Sequence, residues 1–163
     1  MSPQFDLNIK NCGQILNEDI IDLRDVNGSK VSLKKFFEEN NNLLICRYSD
    51  NYCQQCTDYA LYNLSKVGCE NVIFIGNCSK GEKISEQIKE YGLSNRIVLN
   101  CRNMYIQAEL MQFPYYMAID RSLKIKGIYM PNKASSHQKI DSINLDLLYR
   151  YCVSDEKNAN AVE

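Results

Sequence analysis

Apolar positions along this chain fall into two periods, and the changes of period mark out the elements. Leu43-Leu44-Ile45-Cys46 opens a run that turns polar towards Ser49, which predicts a strand over 43–49. Ala60, Leu61 and Leu64 then recur at helical spacing and predict a helix over 53–67. Val72 to Gly76 is a short apolar strand, of the kind buried on both faces of a parallel sheet. Ile84, Ile88 and Tyr91 lie in register on a second helix over 79–91, and Gly92 is placed to end it. A small strand at 97–99 and a third helix at 104–111 follow. Residues 115–120 and 123–129 pair as a hairpin around Arg121-Ser122. Ile143, Leu147 and Leu148 mark a last helix over 140–151.

The first part of the chain reads differently. Ile20, Ile21 and Leu23 precede Asn27-Gly28, a strong turn signal, and Val31 and Leu33 resume the pattern. This predicts a β-hairpin over 20–33, then a helical turn over 34–39 carrying Phe36 and Phe37. Strand-helix-strand units come first and a hairpin plus helix last. The natural assembly is an α/β fold: a central mixed sheet with helices on both faces. Residues 1–19 read as an N-terminal extension, 20–152 as one domain and 153–163 as a polar, frayed tail.

Composition narrows the function classes. The chain has 163 residues, enough for one domain with its own core, and 45% of them are hydrophobic. A net charge of −1 gives no push towards nucleic acid or an anionic membrane. No window approaches the roughly 20 apolar residues of a membrane span, and no apolar signal-peptide core follows Met1.

Eight cysteines are many for this length. A disulfide scaffold is a poor reading, because the chain can build a core without one. Cys46 reads as a small buried hydrophobe. Cys69, Cys78 and Cys101 flank strand ends, and whether a second disulfide joins any of them stays open. Cys53 and Cys56 are the close pair. Cys53-Gln54-Gln55-Cys56 follows an apolar strand and opens a helix, and two thiols at that spacing can close a small disulfide ring. The helix N-terminus favours a thiolate, the form that attacks disulfides. C-x-x-C also serves in zinc sites, so the order strand, C-x-x-C, helix and a later strand entered through a proline adds the specificity.

That order resembles the thioredoxin superfamily, and most of all the TlpA-like thiol-disulfide oxidoreductases of the redoxin group. The resemblance spans roughly residues 20–151. Leu23-Arg-Asp-Val-Asn-Gly-Ser-Lys-Val-Ser-Leu33 is similar to the family's opening hairpin. Tyr52-Cys53-Gln54-Gln55-Cys56 stands where the family has W-C-x-x-C. Phe113-Pro114 stands at its cis-proline, and Asp120-Arg121-Ser122-Leu123-Lys124-Ile125 at its D-x-x-G-x-I turn, without the glycine. The helix over 79–91 matches an insertion typical of TlpA-like proteins. The resemblance implies a thioredoxin-like fold, with Cys53 as attacking and Cys56 as resolving thiol. It also implies a cis Pro114 whose loop packs on the pair, with the backbone of Phe113 offered to a bound peptide. It calls for no cofactor. The implied partners are protein substrates with disulfides and an upstream thiol-disulfide electron donor, and the implied location is extracytoplasmic, the signal being absent or removed.

Three departures affect chemistry. Tyr52 replaces tryptophan, and Gln54-Gln55 lacks the usual proline or glycine. Arg47 stands where thioredoxins bury an acid, and Tyr59, beside Asp58, where some TlpA-like proteins carry a glutamate. Arg47 is either a cation that favours the Cys53 thiolate or a strand-end residue reaching solvent. Tyr48, Tyr52, Tyr115 and Tyr116 are candidates for the rim of a peptide groove, with core packing the alternative for Tyr116.

Three function classes follow. The first is thiol-disulfide exchange on protein disulfides. The second is a thiol peroxidase, weakened because Asp50 holds the position where that chemistry needs threonine or serine. The third is a binding module with a metal-holding or inert C-x-x-C. His137 could join Cys53 and Cys56 as a ligand, but its polar surroundings read as a solvated loop.

Overall fold

The computed structural model describes residues 13–37, 40–78, 81–93, 97–131 and 138–161. Cys12 and His137 lie outside them. Five strands form one sheet among the described residues: β1 (Asn42–Ser49), β2 (Val72–Asn77), β3 (Ile97–Asn100), β4 (Tyr115–Asp120) and β5 (Ile125–Tyr129). The spatial order is β3-β2-β1-β4-β5, with β1, β2 and β3 parallel and β4 and β5 antiparallel to their neighbours. The α-helices are α1 (Gln54–Val67), α2 (Gly81–Glu90) and α3 (Gln138–Ala161).

Strand alternation sorts the core into two clusters, one on each face of the sheet. Leu43 and Ile45 of β1, Ile73 and Ile75 of β2, and Tyr115, Met117 and Ile119 of β4 share one face. Leu44, Cys46 and Tyr48, Val72 and Phe74, and Tyr116 and Ala118 share the other. The second face is covered by α-helix: Ala60, Leu61 and Leu64 of α1, Ile88 of α2 and Leu145 of α3 all pack there. The first face is covered by the N-terminal segment and two short 3₁₀ helices, Leu33–Phe37 and Gln107–Met111. Helical turns thus lie on both faces, but α-helices pack on one.

The third helix is shorter than its apolar pattern suggests. Tyr105 (φ 54°) and Gln112 (φ 57°) both take left-handed backbone and bracket the segment, leaving room for a single 3₁₀ stretch. The N-terminal hairpin shrinks to one bridge, Arg24 with Lys30, closed by a turn in which Gly28 has φ 83°. The backbone of Arg24 also exchanges both hydrogen bonds with Asn100, so the turn is tied to the edge of β3. The fold begins ahead of residue 20: Leu16 is buried and its N–H bonds the carbonyl of Leu123. At the other end α3 runs on to Ala161. The polar residues after 152 contain no proline or glycine to stop a helix.

The turn between β4 and β5 keeps the backbone of the D-x-x-G pattern without its glycine. Leu123 occupies the glycine position with φ 64°, a conformation that costs an ordinary residue about 1–2 kcal/mol. Its side chain is buried in the first-face core, and burial of a leucine is worth about 1.5–3 kcal/mol, enough to offset the strain. Gly76 has a different reason to be glycine. It stands opposite Tyr48 in the β1–β2 register, and a Cβ there would fall 2.3 Å from the tyrosine ring.

Candidate functional site

β1 leads directly into the cysteine loop, and Cys53 caps α1. Its Sγ accepts the N–H of Cys56 at 3.2 Å, and its carbonyl accepts the N–H of Thr57 at 3.1 Å. One of the orphan donors of the first helical turn, the Cys56 N–H, is therefore satisfied by the first cysteine. Cys53 is exposed and Cys56 half-buried behind it. A thiolate at Cys53 gains both the cap hydrogen bond and the helix dipole.

Antiparallel pairing brings the proline segment to the same end of the sheet. Tyr115, the first residue of β4, stands opposite Arg47, so Phe113-Pro114 runs on level with the last residues of β1, just before the cysteine loop. Phe113 is exposed and Pro114 buried. The bond between them is trans, since the described residues contain no cis peptide. This corrects the expected cis-proline. The reversal into β4 is made one residue earlier, by Gln112 in the left-handed region, whose N–H bonds the carbonyl of Glu109.

Of the two expectations drawn for Arg47 from its position, the structure overturns the solvent-reaching one. Arg47 follows strand alternation onto the first face and is 2% exposed, so it does not reach solvent. Its guanidinium is paired with Glu109, a residue the sequence reading did not single out. Arg47 Nη2 donates to Glu109 Oε1 at 2.8 Å, and Nε lies 3.2 Å from both carboxylate oxygens. Nη1 donates to the carbonyl of Cys101 at 2.7 Å and Nη2 also to that of Arg102 at 3.2 Å. The Glu109 carboxylate further accepts the backbone N–H of Met104 at 2.7 Å and the hydroxyls of Tyr52 and Tyr115 at 3.4 and 3.3 Å. Burial, with the Glu109 charge second, pushes the Tyr52 phenol up to about 12. Tyr52 thus stays a proton donor across the neutral range. One signal could have revealed Glu109: a cation on a strand buried on both faces must have a partner, and Glu109 stands in an apolar segment destined for the same face.

A second buried acid lies on the opposite face. Asp141, in the first turn of α3, is 1% exposed. It accepts the hydroxyl of Tyr59 at 2.5 Å and that of Tyr129. Tyr59 stands three residues after Cys56, so the helix that carries the cysteines is clasped to α3 through this carboxylate. Asp58 turns to its own helix and accepts the Gln54 amide at 3.2 Å.

The remaining candidates disperse. Tyr48, Tyr115 and Tyr116 are at most 3% exposed and belong to the core, so only Tyr52 of the four is available to rim a groove. The Tyr116 hydroxyl is satisfied by the carbonyl of Ala60 at 2.7 Å. Cys69 and Cys101 lie in opposite face clusters, with the sheet between them. Cys78 lies beside Asp50; burial first, then that hydrogen bond, pushes its thiol up to about 12. Among the described residues no group of three or more His, Cys, Asp or Glu is placed to hold a metal.

No protein-family model matches the chain, and no curated protein does. Solved structures do. The chain is similar to a candidate protein disulfide isomerase from Bacteroides thetaiotaomicron, with a TM-score of 0.54 and 14% identity, covering 88% of this chain and 92% of that one. It is also similar to a secreted disulfide oxidoreductase of Mycobacterium tuberculosis, described as homologous to E. coli DsbE. There the TM-score is 0.52 and the identity 15%, over 82% of this chain and 96% of the other. At these identities the likeness is one of fold, and the fold is thioredoxin-like.

Proposed function

We propose that the chain is a thiol-disulfide oxidoreductase that acts on protein disulfides through Cys53 and Cys56. The observation that carries this reading is the asymmetry of the pair: an exposed Cys53 at the helix cap, its sulfur receiving the Cys56 N–H, and a half-buried Cys56 one turn inside. The Cys53 thiolate attacks one sulfur of a substrate disulfide, and the other substrate sulfur leaves as a thiolate and takes a proton. The Cys56 thiolate then attacks Cys53 Sγ and releases the second substrate thiol, which also takes a proton. Two electrons and two protons have passed to the substrate, and the Cys53–Cys56 disulfide awaits a donor dithiol. An extracytoplasmic location fed by such a donor fits the TlpA-like resemblance. Among the described residues no helix is long and apolar enough to cross a membrane. The peroxidase reading gains nothing from the site, since Asp50 brings a carboxylate hydrogen-bonded to Cys78 where a hydroxyl is needed.

Two measurements test the proposal. Equilibration in glutathione buffers of graded ratio is expected to give a reversible, two-electron Cys53–Cys56 couple. Brief alkylation of the reduced protein, followed by peptide mapping, is expected to label Cys53 ahead of Cys56. No reversible couple, or first labelling at Cys56, would overturn it.

A further inference from the structure

A guanidinium buried six residues before Cys53, on the strand that feeds the cysteine loop, would by itself favour the thiolate. Glu109 stands in the way. Its carboxylate lies 2.8 Å from Arg47 Nη2 and so opposes that charge locally. The same carboxylate accepts the hydroxyl of Tyr52, the residue bonded to Cys53. It belongs to the 3₁₀ helix that leads into Phe113-Pro114, and through Tyr115 it also grips the first residue of β4. One side chain therefore joins the cysteine loop to the proline segment and pairs with the buried cation.

We infer that Glu109 is a positioning residue of the redox site, pinning Tyr52 beside the nucleophile and screening Cys53 from the field of Arg47. The inference rests on the proposed exchange reaction. Its consequence is a couple held more reducing than Arg47 alone would leave it, because a stabilised thiolate favours the dithiol over the disulfide.

The test is Glu109→Gln in the full chain. The amide oxygen can still accept from Arg47 and Tyr52, while the charge is gone. Tyr52 spans the gap between carboxylate and cysteine, which sets their separation on the order of 10 Å. A unit charge at that range through protein is worth about one pH unit of thiol titration. The pH midpoint of Cys53 alkylation is expected to fall by about one unit. The equilibrium constant for disulfide formation against glutathione is expected to fall about tenfold. Glu109→Asp should restore most of both. A folded Glu109→Gln protein with neither shift overturns the inference.

If Glu109→Gln does not fold, the double variant Arg47→Met with Glu109→Gln decides. With both charges removed, the Cys53 midpoint should stay close to wild type. A rise of about one unit would mean that the field of Arg47 had reached Cys53 uncancelled, and would overturn the inference. Failure of the redox proposal itself looks different: the wild-type pair would form no reversible disulfide, while the alkylation midpoints would still report on Glu109.

Discussion

Replacing Arg47 by methionine is expected to lower the stability of the fold by about 3–5 kcal/mol. The side chains of Arg47 and Glu109 are 2% and 10% exposed, and their separation is 2.8 Å. Removing the cation leaves a carboxylate in the core with only tyrosine hydroxyls and one backbone N–H to hold it. It also strips the carbonyls of Cys101 and Arg102 of their guanidinium donors. Urea unfolding followed by circular dichroism measures the loss. With a slope of about 1–3 kcal/mol per molar for a domain of this size, the midpoint should drop by more than 1 M. The double variant with Glu109→Gln should recover a large part, because a neutral pair leaves no uncompensated charge. A single variant as stable as wild type would mean that the pair is solvated in solution.

The second large effect concerns pH. Burial pushes the phenols of Tyr115 and Tyr116 well above their ordinary value, and burial with Asp141 raises Tyr59 to about 12. Tyr52 is likewise raised to about 12. In the unfolded chain all of these release protons near pH 10. Between pH 10 and 12 the folded state therefore binds more protons than the unfolded one, and stability falls as pH rises. At the fully buried Tyr115 and Tyr116 each unit of separation is worth about 1.4 kcal/mol against a typical total of about 5–15, and at the part-exposed Tyr52 and Tyr59 solvent screening makes it smaller. Cooperative alkaline unfolding is expected above pH 10, with phenolate absorbance from the buried tyrosines growing as the circular dichroism signal is lost. Phenolate formation at Tyr115 and Tyr116 within an intact fold would contradict their burial.

Much of this fold is legible in the order of apolar residues. β1, β2 and β4 each announce themselves because they are buried on both faces, and α1 because its stripe of Ala60, Leu61 and Leu64 has one consistent partner surface. The segment over 104–111 misleads because helical spacing says nothing of backbone handedness. Left-handed Tyr105 and Gln112 carry no glycine to signal them. The cysteine pair is visible as a local motif, whereas its surroundings are assembled across the chain. Glu109 meets Arg47 across 62 positions and Asp141 meets Tyr59 across 82, so no local pattern exposes either contact. Arg47 illustrates the limit well: alternation places it on the correct face, but only the structure reveals that it is paired with Glu109. The cis-proline expectation came from resemblance, and the chain solves the same reversal with Gln112 instead.

The cysteines outside the site give the molecule a built-in clock. Cys46, Cys69, Cys101 and Cys152 are each at most 5% exposed, and burial holds the Cys46 thiol in its unreactive protonated form. A reagent in excess must wait for the structure to open before it can modify them. Cys46 lies in the central strand, Cys101 just past the edge strand β3 and Cys152 on α3. Their separate labelling times would measure how often the centre of the sheet, its edge and the last helix come apart, with no probe added to the chain.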